Sequence, residues 1–115
     1  MKMEAIIDAS NETIWATQKA MAQLFGVNTQ AITKHLGNIY EDAELIKEVT
    51  CSKMEQVRLE GNRRVTRQVE FYNLDAIISV GYRINSRQAT AFRQWATSVL
   101  KQYMIKGYAV NQNAV

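Results

Sequence analysis

Polar side chains between residues 28 and 34 carry the groups in this sequence that could contact the bases of a nucleic acid. Thr29, Gln30 and Thr33 have hydroxyl and amide groups that can hydrogen-bond to base edges. Asn28 and Lys34 can reach phosphates or bases. These five residues predict recognition of DNA, provided that the surrounding elements turn them all outward.

Residues 17–36 have the pattern needed to hold those side chains. Apolar positions repeat at helical spacing on both sides of Gly26, which predicts two short amphipathic helices. Thr17 is a suitable N-cap for a helix to about Phe25. Gly26 can adopt the positive φ that ends this helix sharply.

The second helix is predicted to begin at an Asn28 or Thr29 cap and to run to about Tyr40. The small Ala22 lets the two helices approach closely. The side chains expected to fill the corner and the buried stripe are Val27, Ala31 or Ile32, Leu36 and Ile39. This is the layout of a helix-turn-helix, which places its second helix in the major groove. The alternative is an ordinary helical hairpin with a solvated polar face.

Alternating residues on both sides of the turn at 60–63 predict a β-hairpin. Its apolar positions are Val57, Leu59, Val65, Val69 and Phe71. Arg63, Arg64 and Arg67 cluster at or just after the turn, where a wing could contact phosphates or enter the minor groove. The alternative is an exposed hairpin whose charge discourages edge-to-edge association. Because Arg67 falls on the otherwise apolar face, we expect that face to be only partly buried.

Positive charge is concentrated in the second half of the chain. Residues 1–52 carry four lysines and seven carboxylates, whereas residues 53–115 carry ten lysines and arginines and four carboxylates. The two halves therefore have net charges of −3 and +6. A basic half suits a polyanionic partner such as DNA, and the alternative is a solubilising surface.

The remaining pattern predicts a small α+β domain with a helix-turn-helix, β-hairpins and a long C-terminal helix. The further elements expected are strands at 4–8 and 13–16, an acidic loop with a helical turn at 41–48, and helices at 74–82 and 88–106. Gly107 is expected to end the last helix. We predict one DNA-binding domain at 1–108, followed at 109–115 by a tail or the start of a linker to a missing C-terminal region.

The long helix and the aromatic residues near it allow two further hypotheses. The apolar stripe of the helix extends along its full length, which makes it the expected surface of a homodimer. Between residues 71 and 108, aromatic side chains alternate with Arg83, Arg87 and Arg93, a composition that could stack single-stranded bases. The preferred interpretation is that these aromatic residues belong to the core.

The sequence offers little for catalysis. His35 is the only histidine and Cys51 the only cysteine, so no metal-ligand spacing or internal disulfide is available. No phosphate-binding, nucleophile-elbow or zinc-protease motif occurs. We expect no enzyme activity, no cofactor and no bound metal. No apolar run approaches the length of a membrane span, and the cytoplasm is the expected location.

The downstream half contains FYNLDAIISVGYRINSRQATAFRQWATSVLKQYMIKGYAV at 71–110, and upstream lies IWATQKAMAQLFGVNTQAITKHLGNIYEDAEL at 14–45. The downstream string closely resembles the N-terminal domain of the RhuM-type virulence-associated proteins of bacteria, and the upstream string is similar to the opening of that family. The ending with FRQWA before a long helix is similar, more loosely, to Bro-N and phage antirepressor domains. The resemblance implies a DNA-binding or regulatory protein linked to mobile elements, with no catalytic residues to carry over.

These observations lead to one main prediction and one alternative. The main prediction is a sequence-specific double-stranded DNA-binding domain that regulates transcription as a homodimer on a palindromic site. Its contacts would be Asn28, Thr29, Gln30, Thr33 and Lys34 in the major groove, with Arg63, Arg64 and Arg67 on phosphates or in the minor groove. The alternative is an antirepressor-like module that binds a regulatory protein without contacting bases.

Overall fold

The computed structural model describes residues 3–105 of the 115-residue chain, with side chains to Tyr103. The elements in chain order are β1 (Ile6–Asp8), β2 (Thr13–Trp15), α1 (Gln18–Phe25), α2 (Thr29–Glu41), α3 (Lys47–Thr50), β3 (Cys51–Glu60), β4 (Arg63–Tyr72), α4 (Leu74–Ile84) and α5 (Ser86–Ile105). Five helices and two antiparallel hairpins in this part of the chain confirm the predicted α+β class.

Several predictions about the C-terminus concern residues outside the described range. These are the stop at Gly107 and the tail at 109–115. The predicted domain boundary at residue 108 stays a prediction for the same reason.

Local signals place the ends of α1 and α2 as predicted. The Thr17 hydroxyl accepts a hydrogen bond from the Ala20 amide at 3.1 Å, which satisfies an amide that the first helical turn leaves free. Gly26 ends α1 with φ +67°, a left-handed conformation that glycine adopts without a steric penalty. The Asn28 side chain then caps α2 by accepting from the Ala31 amide at 2.8 Å.

A single cluster of buried side chains joins β2, the base of β4 and helices α1, α2, α4 and α5. Its most completely buried large members are Ile14, Met21, Ile32, Ile39, Ile77, Val80 and Phe92. Helices α1, α4 and α5 pack closely at Gly81, where an added Cβ would lie 2.6 Å from Phe25 Cζ and 2.9 Å from the Ala89 Cβ. The core therefore requires a residue without a side chain at this point of α4.

The apolar stripe of α5 is buried within the chain itself. Ala89, Phe92, Ala96 and Leu100 are all at most 7% exposed, and the last three belong to the core cluster. This corrects the argument that made the stripe a dimer surface, because side chains already packed in the core are not available to a second copy.

The long hairpin of β3 and β4 is attached to the rest of the molecule at its base. The backbones of Tyr72 and Ala16 exchange two hydrogen bonds of 2.8 and 2.9 Å, and the Asn73 amide donates to the Thr50 carbonyl at 2.9 Å. The strands have ten residues each, and β3 begins at Cys51, well before the alternating residues from which the hairpin was predicted.

The strand register places the apolar residues of the predicted hairpin on two opposite faces. The two-residue turn pairs Glu60 with Arg63, so odd-numbered positions of β3 share a face with even-numbered positions of β4. Val57 and Leu59 therefore lie on the face opposite to Val65 and Val69. Val57 and Leu59 are 61% and 74% exposed. The partly buried face that was expected is therefore the opposite one, which carries Val65 and Val69.

Candidate nucleic-acid interface

Helix α2 has one buried side and one exposed polar side. Ile32, Leu36 and Ile39 are at most 3% exposed, and they hold the helix against the core. The five candidate residues are all exposed, as the sequence pattern predicted: Asn28, Thr29, Gln30, Thr33 and Lys34. The same side includes the exposed Gly37, where an added Cβ would meet nothing within 4 Å.

The five candidates differ in how free their polar groups are. The Asn28 carbonyl oxygen is occupied by the helix cap, which leaves its amide nitrogen available. The Thr33 hydroxyl lies 3.0 Å from the Thr29 carbonyl and 2.5 Å from Gln18 Oε1, so its proton is directed inward. Within residues 3–105, no side-chain hydrogen bond or ion pair holds Gln30 or Lys34, and these two are the freest donors on the face.

A chain of hydrogen bonds connects this face to the base of the long hairpin. Gln18 accepts from Thr33 and donates from Nε2 to the Tyr72 hydroxyl at 3.1 Å. Tyr72 in turn donates to Glu70 at 3.1 Å, and Lys47 Nζ lies 3.9 Å from the same carboxylate. Burial raises the pKa of the Tyr72 phenol, which keeps it protonated and able to donate. Sequence patterns gave no signal for this connection, because Gln18 and Tyr72 are 54 residues apart.

The three predicted hairpin arginines do not form one cluster. Arg63 and Arg67 share a face of the hairpin, and Arg64 lies on the opposite one beside Leu59. Arg67 is already paired with Glu60 through two contacts of 3.0 and 3.2 Å. This hydrogen-bonded pairing lowers the pKa of the Glu60 carboxyl and raises the pKa of the Arg67 guanidinium.

Arg58 is a cationic residue that the sequence pattern did not single out. It shares the face of Arg63 and lies two ladder positions from the Glu60–Arg63 pair that closes the turn. Its Nε donates to the neutral Gln56 side chain at 2.9 Å, and its positive charge helps to lower the pKa of the Glu60 carboxyl. The alternation of β3 would have placed it beside the other arginines if the register of the turn had been known. The cationic groups available at the tip are therefore Arg58, Arg63 and Arg64.

The aromatic residues near the arginines belong mostly to the fold. Tyr72 is buried, and Trp95 packs beside Phe92 with ring centroids 5.7 Å apart. Arg83 donates to Glu44 at 3.0 Å and lies 3.6 Å from Asp42, so it joins α4 to the acidic loop. These contacts favour the core interpretation over stacking of single-stranded bases.

Residues 3–103 contain no group of three or more His, Cys, Asp or Glu side chains that could hold a metal ion. Burial raises the pKa of the half-buried Cys51 thiol, which disfavours the reactive thiolate. No described helix is long and apolar enough to cross a membrane.

Comparison with known families matches residues 49–115 to the family described as Virulence protein RhuM family. The matched residues include the long hairpin, α4 and α5, whereas α1 and α2 lie upstream of the match. No curated protein and no solved structure matches the chain. The similarity of residues 14–45 to this family and the looser similarity to Bro-N domains stay predictions.

Proposed function

We propose that this chain, which belongs to the virulence protein RhuM family, acts as a sequence-specific double-stranded DNA-binding domain in transcription regulation. The observation that carries the proposal is the exposed polar side of α2, from Asn28 to Lys34, on a helix whose other side is buried. A helix held in this way can enter a major groove without losing its contact with the core. The role is one of binding and not of catalysis, and it is exercised in the cytoplasm.

In this proposal α1 and α2 act as a helix-turn-helix. Gln30 contacts a base edge, because its amide has both a donor and an acceptor free in the described structure. Thr29 contacts a neighbouring base or sugar, and Lys34 pairs with phosphate. Asn28 contributes its free amide nitrogen, and Thr33 contributes mainly by accepting a hydrogen bond.

The long hairpin supplies the other contact region. Arg63 and Arg64 reach phosphates or the minor groove, together with Arg58. Arg67 contributes less, because Glu60 compensates its charge. A homodimer on a palindrome would strengthen binding by a module of this size. Its contact surface must differ from the buried stripe of α5.

Selection from a random duplex library tests the proposal directly, and we expect enrichment of a palindromic site. Gln30→Ala should then reduce discrimination at one base pair by about 1–3 kcal/mol, with nonspecific affinity nearly unchanged. Gln94→Ala is the matched control, because Gln94 is an exposed glutamine on α5. If Gln30→Ala keeps the wild-type preference at every position, α2 is not the element that contacts bases.

The alternative function is an interaction module that binds a regulatory protein. It is favoured by the exposed apolar side chains of Ile46 and Val49, which are 62% and 65% exposed next to the acidic loop. Absence of enrichment in the duplex library, together with loss of a partner complex in Val49→Asp, would support this function in place of DNA binding.

A further inference from the structure

Two large apolar side chains project from the same face of the long hairpin close to its turn. Leu59 is 74% exposed and Val57 is 61% exposed. Their cross-strand neighbours on that face are Arg64 and Thr66, which do not cover them. Neither residue contributes to the core cluster, so the fold itself does not account for an apolar surface at this position.

The charges near the hairpin tip are mostly positive, and they lie on both faces of the hairpin. Between residues 57 and 67 the hairpin carries four arginines and one carboxylate, and that carboxylate is paired with Arg67. Arg64 shares the face of Leu59 as its partner across the ladder, whereas Arg58 and Arg63 lie on the opposite face. An apolar side chain at a tip with guanidinium groups on both faces complements a polyanion with an apolar interior, which describes stacked bases between two phosphate backbones.

We propose that the hairpin tip enters the minor groove of DNA and inserts Leu59 as a wedge between base pairs, which bends the duplex. The inference rests on the proposed DNA-binding function and adds to it the deformation of the DNA. Apolar wedges that partly unstack a base step kink the duplex toward the major groove, and arginine side chains beside the wedge can pair with the flanking phosphates.

The dimensions of the hairpin fit this role. Ten-residue strands reach about 34 Å at about 3.4 Å per residue, so the tip lies far from the anchored base at Tyr72. Neighbouring strands lie about 5 Å apart before their side chains are counted, and a minor groove is about 6 Å wide. The tip can therefore enter only if the groove widens, and widening accompanies the bend that a wedge produces.

The test measures bending and binding separately. The probe is an A·T-rich duplex with a donor and an acceptor dye at its two ends, carrying the selected palindrome when one is known. Bound wild-type protein should raise energy transfer, and 2-aminopurine placed at the bent step should brighten as it unstacks. Leu59→Ala should keep most of the binding and its salt dependence but lose both signals. Because Leu59 is largely exposed, the substitution leaves the core unchanged.

Two further variants serve as controls. Leu59→Met keeps an apolar side chain of similar size and should bend the duplex as the wild type does. Ile6→Ala removes an exposed apolar side chain from β1, in the other hairpin, and should also leave bending intact.

The possible failures are distinguishable. If the wild type binds no duplex, the proposed function fails and the wedge fails with it. If the wild type binds without bending, or if Leu59→Ala bends the duplex equally, only the wedge is overturned. If Leu59→Ala changes the oligomeric state of the free protein and leaves bending intact, the apolar face is an interface with another copy, and the wedge is again overturned.

Discussion

Two glycines inside helices show how strongly a residue's effect depends on its surroundings. Gly37 lies on the exposed polar side of α2 with open space where a Cβ would be, whereas Gly81 lies between Phe25 and Ala89. Helix propensity favours alanine over glycine at both positions. Only at Gly81 does tertiary packing oppose that preference.

We therefore expect opposite changes from the same substitution. Gly37→Ala should raise the free energy of unfolding by about 0.5–1 kcal/mol, because it reduces the entropy of the unfolded chain. Gly81→Ala should lower it by about 1–3 kcal/mol, because the new methyl group overlaps buried side chains. Urea denaturation of both variants measures this difference. A stabilising Gly81→Ala would show that the close approach of α1, α4 and α5 is wrong.

The Asp8 carboxylate organises the tight turn between β1 and β2. It accepts hydrogen bonds from Asn11 Nδ2 at 2.9 Å, from the Ser10 hydroxyl at 3.0 Å and from Trp15 Nε1 at 3.1 Å. The bond from Asn11 is the largest of the causes that lower the pKa of Asp8, since these donors favour the charged carboxylate.

A lowered folded-state pKa makes Asp8 a source of acid sensitivity. Its contribution to stability is complete above the unfolded pKa of about 3.9 and is lost as the pH falls through the folded value. Asp8→Asn should therefore lower the thermal midpoint at neutral pH and have a smaller effect at the acid end of the range. Glu41→Gln, which removes an exposed carboxylate at the end of α2, is the control and should leave the neutral-pH midpoint nearly unchanged. Equal effects of Asp8→Asn at neutral and acid pH would contradict this dependence of stability on the ionisation of Asp8.

At the scale of elements, the feature of most consequence is the hydrogen-bonded connection from α2 through α1 to β4. Gln18 stands at its centre, between the Thr33 hydroxyl and the Tyr72 phenol. It restrains the polar side of α2 relative to the base of the hairpin. The two regions proposed to contact DNA are thus positioned against one another by a side chain that need not contact DNA itself.

Removal of the Gln18 side chain should have two separable effects. Gln18→Ala should cost about 1 kcal/mol of stability, since each partner keeps one other hydrogen-bonding contact. It should also weaken discrimination between the selected site and a scrambled duplex, because α2 and the hairpin lose a fixed relation. The control is Gln23→Ala, at an exposed position of α1. Loss of stability with full discrimination would assign Gln18 a structural role only.

The elements also show which predictions depend on local chemistry. The caps at Thr17 and Asn28 were readable because each side chain bonds to an amide three residues away. The hairpin turn was readable from an equally local signal, which is a glycine that adopts φ +63° at the first central position of the turn. The sequence did not show which strand residues share a face, because a face depends on pairing across the turn and on what the base of the hairpin contacts.

At the scale of the whole molecule, the positive charge and the exposed polar helix belong to different parts of the chain. The arginines available at the hairpin tip are within the matched family region, whereas α2 lies upstream of it. The fold joins the two through the Tyr72–Ala16 backbone pairing. The proposed binding surface is therefore a product of the assembled domain and not of either segment.

The sequence by itself determined the α+β class, the ends of α1 and α2 and the outward set on α2, because caps, turn glycines and hydrophobic periodicity act over a few residues. Only the tertiary structure decided three further properties: the burial of the α5 stripe, the separation of the hairpin arginines and the exposure of Leu59. Each depends on contacts between residues far apart in the chain, and a local pattern carries no information about which distant side chain will cover it.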